Sequence, residues 1–149
     1  MANMEKVRTL ARADQGLAIV ITQRGDGSPQ VSLVNAGPLD HPVSGEPVVG
    51  FVVAGGTVKQ RNLRARPRAT VVFRAGWDWV AVEGTVGLAG PEDDLEGLDP
   101  SAVPQLLRDV FTAAGGTHDD WEEYDGVMAE ERRLAVLVHP ERITSNPGR

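Results

Sequence analysis

The chain has 149 residues and a hydrophobic content of 41%, which predicts one domain, residues 1–149, with a sizeable core. It contains no cysteine, so disulfides, thiolate metal ligands and a cysteine nucleophile are excluded. A net charge of −6 argues against nucleic acid as the main partner. The longest apolar run, Val48–Ala54, is too short for a membrane helix, and the first residues do not resemble a signal peptide. We therefore expect a cytoplasmic protein without membrane insertion.

The first part of the sequence predicts a helix followed by a β-hairpin. Apolar residues at helical spacing predict a helix over Asn3–Ala13, capped by its first residue. Leu17–Thr22 and Gln30–Ala36 are predicted strands on either side of Asp26-Gly27, the strongest hairpin signal in the chain. The segment Gly37–Pro47 is rich in proline and glycine, so it is predicted to be a loop.

Three more strands are predicted in the middle of the chain. Val48–Ala54 is apolar on both faces, which is typical of a central strand. Ala69–Arg74 and Trp77–Ala89 follow as the fourth and fifth strands. Gly84 and Gly87 lie within the fifth strand and predict bends, as a small closed barrel requires.

The last third of the sequence is predicted to add two helices and the end of the sheet. An acidic loop, Gly90–Pro100, precedes a helix capped by Ser101, and Thr117 is the expected cap of a second helix. Leu134–Val138 is the sixth strand, and Arg142–Ser145 prolongs the sheet. Six short, mostly antiparallel strands with flanking helices predict an α+β protein built on a small β-barrel.

A cationic segment separates the third and fourth strands. It reads GGTVKQRNLRARPR and holds five basic residues but no acidic one. Thr57 is the expected helix N-cap, and Pro67 is expected to end the helix. The start of a helix offers free N–H groups and a positive dipole end, so it suits a phosphate, and Lys59 adds a full charge there. An ordinary solvated helix surface is the alternative interpretation.

The sequence offers no convincing catalytic or metal-binding side chains. The three histidines lie in unrelated segments without ligand spacing, so no metal site is predicted. No nucleophile elbow, phosphate-binding loop or dinucleotide motif is present. Glu83 lies among apolar strand residues, and we expect it to pair with an arginine inside the barrel rather than to catalyse a reaction. If the protein is an enzyme, a bound cofactor is expected to supply the reactivity.

The order and spacing of several motifs resemble a known family. These motifs are Asp26-Gly27-Ser28-Pro29 in the hairpin, Lys59-Gln60-Arg61-Asn62-Leu63 and Pro67-Arg68 around the cationic helix, and Glu83-Gly84 in the long strand. Together they are similar to the flavin and deazaflavin reductases that share the split barrel of pyridoxamine 5'-phosphate oxidase. The resemblance covers essentially the whole chain and implies a six-stranded, mostly antiparallel split β-barrel with flanking helices.

The resemblance implies a function as well as a fold. The most similar branch uses coenzyme F-420, a deazaflavin found largely in actinobacteria, and its members are homodimers with cofactor sites at the interface. It implies an F-420H2-dependent reductase that transfers a hydride to a small planar conjugated substrate. Two alternatives stay open: an FMN-binding oxidoreductase of the same fold, and a non-enzymatic protein that binds the deazaflavin.

The resemblance also implies which residues bind the cofactor. Lys59 would hold the phosphate together with the Thr57 turn and Asn62, and Trp77 or Trp79 of the partner subunit would cover the ring. Relatives often carry arginine where this chain has Thr57, two residues before the lysine, which implies either a weaker phosphate clamp or a shift of that charge to Arg61. The implied cofactor-binding residues are Ser32, Asn35, Val53, Thr57, Val58, Lys59, Arg61, Asn62, Trp77 and Trp79.

Overall fold

A computed structural model describes residues 2–147 of the chain. The single domain expected for residues 1–149 therefore includes three residues, 1, 148 and 149, that lie outside the described part. The helices are α1 (Met4–Ala13), α2 (Val58–Ala65), α3 (Val103–Ala113, preceded by a 3-10 turn at Pro100–Ala102) and α4 (Trp121–Glu130). The strands are β1 (Leu17–Gln23), β2 (Pro29–Asp40), β3 (Pro47–Val53), β4 (Arg68–Ala75), β5 (Asp78–Ala89), β6 (Leu134–Val138) and β7 (Arg142–Ser145).

Six of these strands close into a barrel. Their order is β4-β1-β2-β3-β6-β5, and pairing of β4 with β5 completes the ring. Every ladder is antiparallel, and β7 pairs with β5 on the same edge that β6 uses further along. The structure thus confirms the predicted α+β fold with a six-stranded antiparallel barrel and flanking helices. Among the described residues, no helix is both long and apolar enough to cross a bilayer.

The burial pattern of each strand reflects which of its faces is covered by other parts of the protein. In β1, alternate residues are buried in the barrel interior, as the period of two requires. All five residues of β6 are buried because α3 covers the outer face of β3 and β6. Val48 and Leu137 pack there against Leu107 and Val110, which form the buried face of α3. The prediction that the third strand is central is confirmed.

The barrel is split between β2 and β3. Residues 29–35 of β2 pair with β1, whereas residues 36–40 pair with β3. Beyond the Ala36–Phe51 pair, the end of β3 pairs only with β6 among the described strands. The first half of β2 and the last residues of β3 therefore diverge, and a cleft opens between them.

The predicted loop at Gly37–Pro47 is partly wrong, because β2 continues to Asp40. At Gly37 the backbone of α3 approaches so closely that a Cβ atom would collide with the carbonyl oxygen of Ala113. Pro38 is tolerated because β1 has already left β2, which gives this part of the strand a free edge. Gly37 therefore allows α3 to pack closely, and Pro38 occupies a free strand edge; neither residue forms a turn.

Two of the predicted helix caps are confirmed and two are wrong. The Asn3 side chain accepts a hydrogen bond from the Lys6 N–H at 3.0 Å, and Thr57 caps α2 as predicted. Asp99 caps the 3-10 turn that leads into α3, whose own first cap position, Ala102, has no side-chain hydrogen bond, so Ser101 is not the cap. Asp120, not Thr117, caps α4. Since a carboxylate caps as well as a hydroxyl, residue type alone did not decide between these neighbours.

Glu83 and Gly84 show how β5 bends around the barrel. Glu83 lies on the outer face, and its carboxylate is 3.8 Å from Arg142 of β7. Pairing with an arginine is thus confirmed, but its expected place inside the barrel is wrong, because the inward residues of β5 are its neighbours. A Cβ atom at Gly84 would collide with the carbonyl oxygen of His139, so this glycine permits the close approach at the predicted bend.

Candidate functional site

The main cleft of the described chain lies where the barrel splits. Its volume is about 1240 Å³, which is ample for an organic cofactor. The edge of β2 and the end of β3 form its floor, while α1, α3 and α4 contribute to its walls. Elements that are distant in sequence thus meet around one opening.

Lys59 connects the two sides of the split. It lies in the first turn of α2, and its Nζ donates a hydrogen bond to Ser32 Oγ of β2 at 3.1 Å. Burial disfavours the charged ammonium and Arg133 repels it, so the pKa of Lys59 lies below its usual value. Among the described residues no carboxylate forms an ion pair with it. An anion in the cleft would relieve this repulsion.

The turn before α2 is held by two side chains. Thr57 Oγ1 accepts a hydrogen bond from the Gln60 N–H at 3.4 Å and donates one to the Ala54 carbonyl at 2.9 Å. Gln60, which is only 3% exposed, accepts from the Gly56 N–H at 2.6 Å through Oε1. The sequence signal that was missed is Thr57-x-x-Gln60, the spacing of a capping box, although here the Gln60 side chain accepts from the N–H of Gly56, one residue before the cap.

The acidic loop after β5 is fastened to α2. Arg64 donates two hydrogen bonds of 2.8 Å to the carboxylate of Asp93, which also accepts from Gln60 Nε2 at 3.3 Å. These bonds, those of Arg64 first, hold the pKa of Asp93 below its usual value. The neighbouring Glu92 forms an ion pair with Arg132, with 2.9 Å between the carboxylate oxygen and the guanidinium nitrogen. Part of the cationic segment therefore anchors a loop rather than facing the cleft.

Five of the ten implied cofactor-binding residues meet at the cleft. Asn35, Val53, Thr57 and Lys59 line it. Ser32 adjoins it through its hydrogen bond to Lys59. The structure thus brings these five residues together at the cleft, while their role in cofactor binding stays a prediction.

The other five lie elsewhere in the protomer. Val58 and Arg61 are exposed on α2 outside the cleft lining. Asn62 is buried on the side of α2 that faces β1, where its Nδ2 donates to Thr22 Oγ1 at 3.1 Å, so the structure does not bring it to the phosphate position with Lys59. Trp77 and Trp79 lie around the β4–β5 turn, 95% and 37% exposed. Their assignment to a partner's cleft stays a prediction.

The cleft has an apolar wall formed by residues of α3 and α4. Phe111 of α3 and Tyr124 of α4 line it with ring centroids 5.0 Å apart, and Met128 lies on the same side. The Tyr124 hydroxyl donates to the Leu107 carbonyl at 3.0 Å, so its ring is fixed. Apolar residues at helical spacing predict that a helix packs against the core, but no local signal shows that these residues also border an opening.

The charge of the cleft is opposite to that of the protein. Arg8, Arg12, Lys59 and Arg133 line it with a single carboxylate, Glu131, which gives a local charge of +3 in a chain of net −6. The sequence analysis missed the two arginines of α1 because their helix lies far from α2 in the chain. Among the described residues no cluster of three or more acidic, histidine or cysteine side chains could hold a metal ion.

Comparison with solved structures identifies the fold. An F420 reductase has a TM-score of 0.58 at 16% identity, over 87% of this chain and 90% of its own. A pyridoxamine 5'-phosphate oxidase-related, FMN-binding protein from Nostoc punctiforme has a TM-score of 0.59 at 12% identity, over 95% and 79%. A heme-binding protein from Mycobacterium smegmatis has a TM-score of 0.61 at 20% identity, over 97% and 53%. No family model matches the sequence. At such identities the likeness shows the fold, which is the split barrel of pyridoxamine 5'-phosphate oxidase.

Proposed function

We propose that the protein is an F-420H2-dependent reductase that transfers a hydride to a small planar conjugated substrate. The observation that carries this proposal is the cleft at the split of the barrel, which is lined both by Lys59, a lysine that forms no ion pair with the described residues, and by an apolar aromatic wall. An F420 reductase and an FMN-binding protein share the fold, which supports a cofactor of this kind. The proposal is the same as the one the sequence resemblance implies.

The residues of the cleft fit a phosphorylated ring cofactor. Lys59 and the first free N–H groups of α2 would hold the phosphate, since an ammonium and a helix start both attract an anion. The edge of β2 at Asn35 and the end of β3 at Val53 would line the ring system. When bound, the reduced deazaflavin supplies the hydride.

The protein's own part is orientation and exclusion of water. Phe111 and Tyr124 offer flat apolar surface against which a conjugated substrate can stack. The Tyr124 hydroxyl is engaged with a backbone carbonyl, so it is a poor candidate for proton donor. Ser32 Oγ accepts from Lys59 and keeps its own proton, which makes it the better candidate.

We further propose a homodimer. The outer face of the β1–β2 hairpin exposes four large apolar side chains, each 38% to 63% accessible: Leu17, Ile19, Val31 and Leu33. A contiguous apolar sheet surface of this kind is costly in water and is expected to be covered. A second copy would cover it, and Leu33 also borders the cleft, which would place the cleft next to the dimer interface.

FMN is the second candidate cofactor, and it is supported by the FMN-binding protein among the structural neighbours. A role as a deazaflavin carrier without turnover is the third candidate. It is supported by the pairing of Glu131, the carboxylate of the cleft lining, with Arg133 and by the hydrogen bond of the Tyr124 hydroxyl to a backbone carbonyl. Both alternatives use the same Lys59 site, so binding alone does not separate them from the reductase.

Titration of the purified protein with F-420 and with FMN, followed by quenching of tryptophan fluorescence, tests the binding step. We expect preferential binding of F-420 and a loss of about tenfold or more in Lys59→Gln, since one charge-assisted contact is removed. Arg142→Gln is the matched control, because this arginine is 71% exposed on β7. Turnover of F-420H2 with a panel of quinones and unsaturated lactones then separates a reductase from a carrier. Binding of neither cofactor refutes the proposal.

A further inference from the structure

The short link between α4 and β6 lies directly against the turn that precedes α2. The last residue pair that joins β3 to β6 is Val53 with Leu134. Beyond this pair, the Gly55 N–H donates a hydrogen bond to the Glu131 carbonyl at 3.1 Å. Arg133 lies between these two contacts in the chain, so its backbone is held beside the start of the turn.

The side chain of Arg133 lines the cleft and uses little of its hydrogen-bonding capacity within the protein. Its Nε donates to Glu131 Oε1 at 3.1 Å, which occupies one of the five N–H groups of a guanidinium. Its two terminal nitrogens form no hydrogen bond with the described residues. The side chains of Arg133 and Glu131 are 32% and 41% exposed, and exposed ion pairs are weak. A bound phosphate can therefore compete with Glu131 for this guanidinium.

The charge of Arg133 acts on two other residues of the cleft. Burial is the main cause that lowers the pKa of Lys59, and repulsion by Arg133 lowers it further. Burial raises the pKa of Tyr124, and the charge of Arg133 partly offsets this effect. Because such effects weaken with distance, Arg133 lies near both the lysine and the aromatic wall. A phosphate that binds Arg133 and Lys59 together would add an attraction to each of two cations that otherwise only repel each other.

We infer that Arg133 is the second cation of the phosphate site at Lys59. The inference rests on the proposed function for the phosphate itself, and it adds a binding residue from a distant part of the chain. A guanidinium with free terminal nitrogens binds two phosphate oxygens at once, whereas the Lys59 ammonium acts as a point charge. Arg61, which the sequence resemblance offers for this second charge, is exposed on α2 outside the cleft lining, so the geometry favours Arg133.

The first test separates the phosphate from the ring of the ligand. FMN is compared with riboflavin, and F-420 is compared with its ribityl-deazaflavin fragment, which lacks the phosphate. We expect Arg133→Gln to weaken each phosphorylated ligand by about tenfold and each fragment by less than about twofold, with partial recovery in Arg133→Lys. Glu131→Gln is expected to strengthen the phosphorylated ligands by about twofold, since the competing carboxylate is removed. A loss in Arg133→Gln that is equal for ligand and fragment, or no larger than in the exposed control Arg142→Gln, overturns the inference.

The second test needs no cofactor. NMR titration of the Lys59 ammonium should give a higher pKa in Arg133→Gln than in the wild type, because a repelling charge is removed. Calorimetric titration with pyrophosphate should show a loss of about fivefold or more in Arg133→Gln. An unchanged pKa of Lys59, or a larger loss of pyrophosphate binding in Arg61→Gln, overturns the inference. If the wild type binds pyrophosphate but neither cofactor, the proposed function fails, and the pyrophosphate comparison still decides the role of Arg133. If it binds none of these ligands, both proposals are wrong.

Discussion

Replacing Gln60 with methionine tests whether a buried amide holds the turn in front of α2. The side chain is 3% exposed and joins two segments, since Oε1 accepts from the Gly56 N–H at 2.6 Å and Nε2 donates to Asp93 at 3.3 Å. Methionine has a similar length and flexibility, so it fills the same space without either hydrogen bond. The change therefore isolates the polar contacts from the packing.

The expected loss in the free energy of unfolding depends on which hydrogen bonds Gly56 and Asp93 can still form without Gln60. Gly56 is exposed, so water can replace the lost acceptor, and Asp93 retains its two bonds of 2.8 Å from Arg64. A net contribution of about 0.5–1.5 kcal/mol for each lost hydrogen bond gives a total of about 1.5 kcal/mol. For a chain of this size that corresponds to a decrease in Tm of about 3–6 °C.

Three measurements on Gln60→Met check this reasoning. Thermal unfolding gives the change in stability, amide hydrogen exchange at Gly56 reports the turn itself, and titration with F-420 reports the phosphate site. We expect faster exchange at Gly56 and weaker F-420 binding, because the N–H groups at the start of α2 are less well ordered. The matched control is Gln105→Met, which removes an exposed 2.8 Å hydrogen bond to Asp109 on α3. If Gln60→Met and the control give the same Tm and the Gly56 exchange rate is unchanged, the turn does not depend on Gln60.

Three further predictions concern stability. His41 is 8% exposed, its Nδ1 accepts hydrogen bonds from two backbone N–H groups, and burial lowers its pKa. The stability that neutral His41 contributes is therefore complete above pH 6.5 and decreases at lower pH. Thermal unfolding at several pH values should show that this pH dependence is absent in His41→Asn. The hydrogen bond from Thr85 is the main cause that lowers the pKa of Glu141 from 4.5 to about 2. The contribution of ionised Glu141 to stability is therefore complete above pH 4.5 and is lost as the pH falls towards 2. Acid unfolding of Glu141→Gln should lack this part of the pH dependence. Gly84→Ala should destabilise the fold by about 3 kcal/mol or more in urea unfolding, because its Cβ meets backbone, whereas Gly25→Ala, with open space around it, should cost less than about 1 kcal/mol.

Most of the sheet was predictable because the pattern that specifies a strand lies within the strand itself. Alternating or continuous apolar runs between turn residues gave six strands within a few residues of their observed bounds. The exceptions are places where tertiary contact overrides a local signal. Gly37 and Pro38 are turn residues by type, yet α3 packs on one and a free strand edge accepts the other. Nothing near them in the sequence records those contacts.

The candidate site was predictable only on the side formed by one continuous segment. Thr57 and Lys59 lie in a strand–turn–helix unit, where an N-cap and a nearby cation can be recognised from spacing alone. The opposite side comes from α1, α3 and α4. It exists only because the barrel brings those helices to the split between β2 and β3. An amphipathic stripe predicts that a helix packs, but it does not predict which of its residues border an opening.

The cationic segment shows why a count of charges is a poor guide to a binding site. Of its five basic residues, Lys59 lines the cleft. Arg64 binds Asp93, Arg66 donates to the Gln23 carbonyl, and Arg68 pairs with Glu141, because successive positions of a short helix and a strand point in different directions. Two further cations of the cleft, Arg8 and Arg12, come from α1, a segment with an ordinary charge pattern. A cation that forms no ion pair with the described residues is therefore a better indicator of a ligand site than a run of basic residues, and in this cleft Lys59, Arg8 and Arg12 meet that criterion.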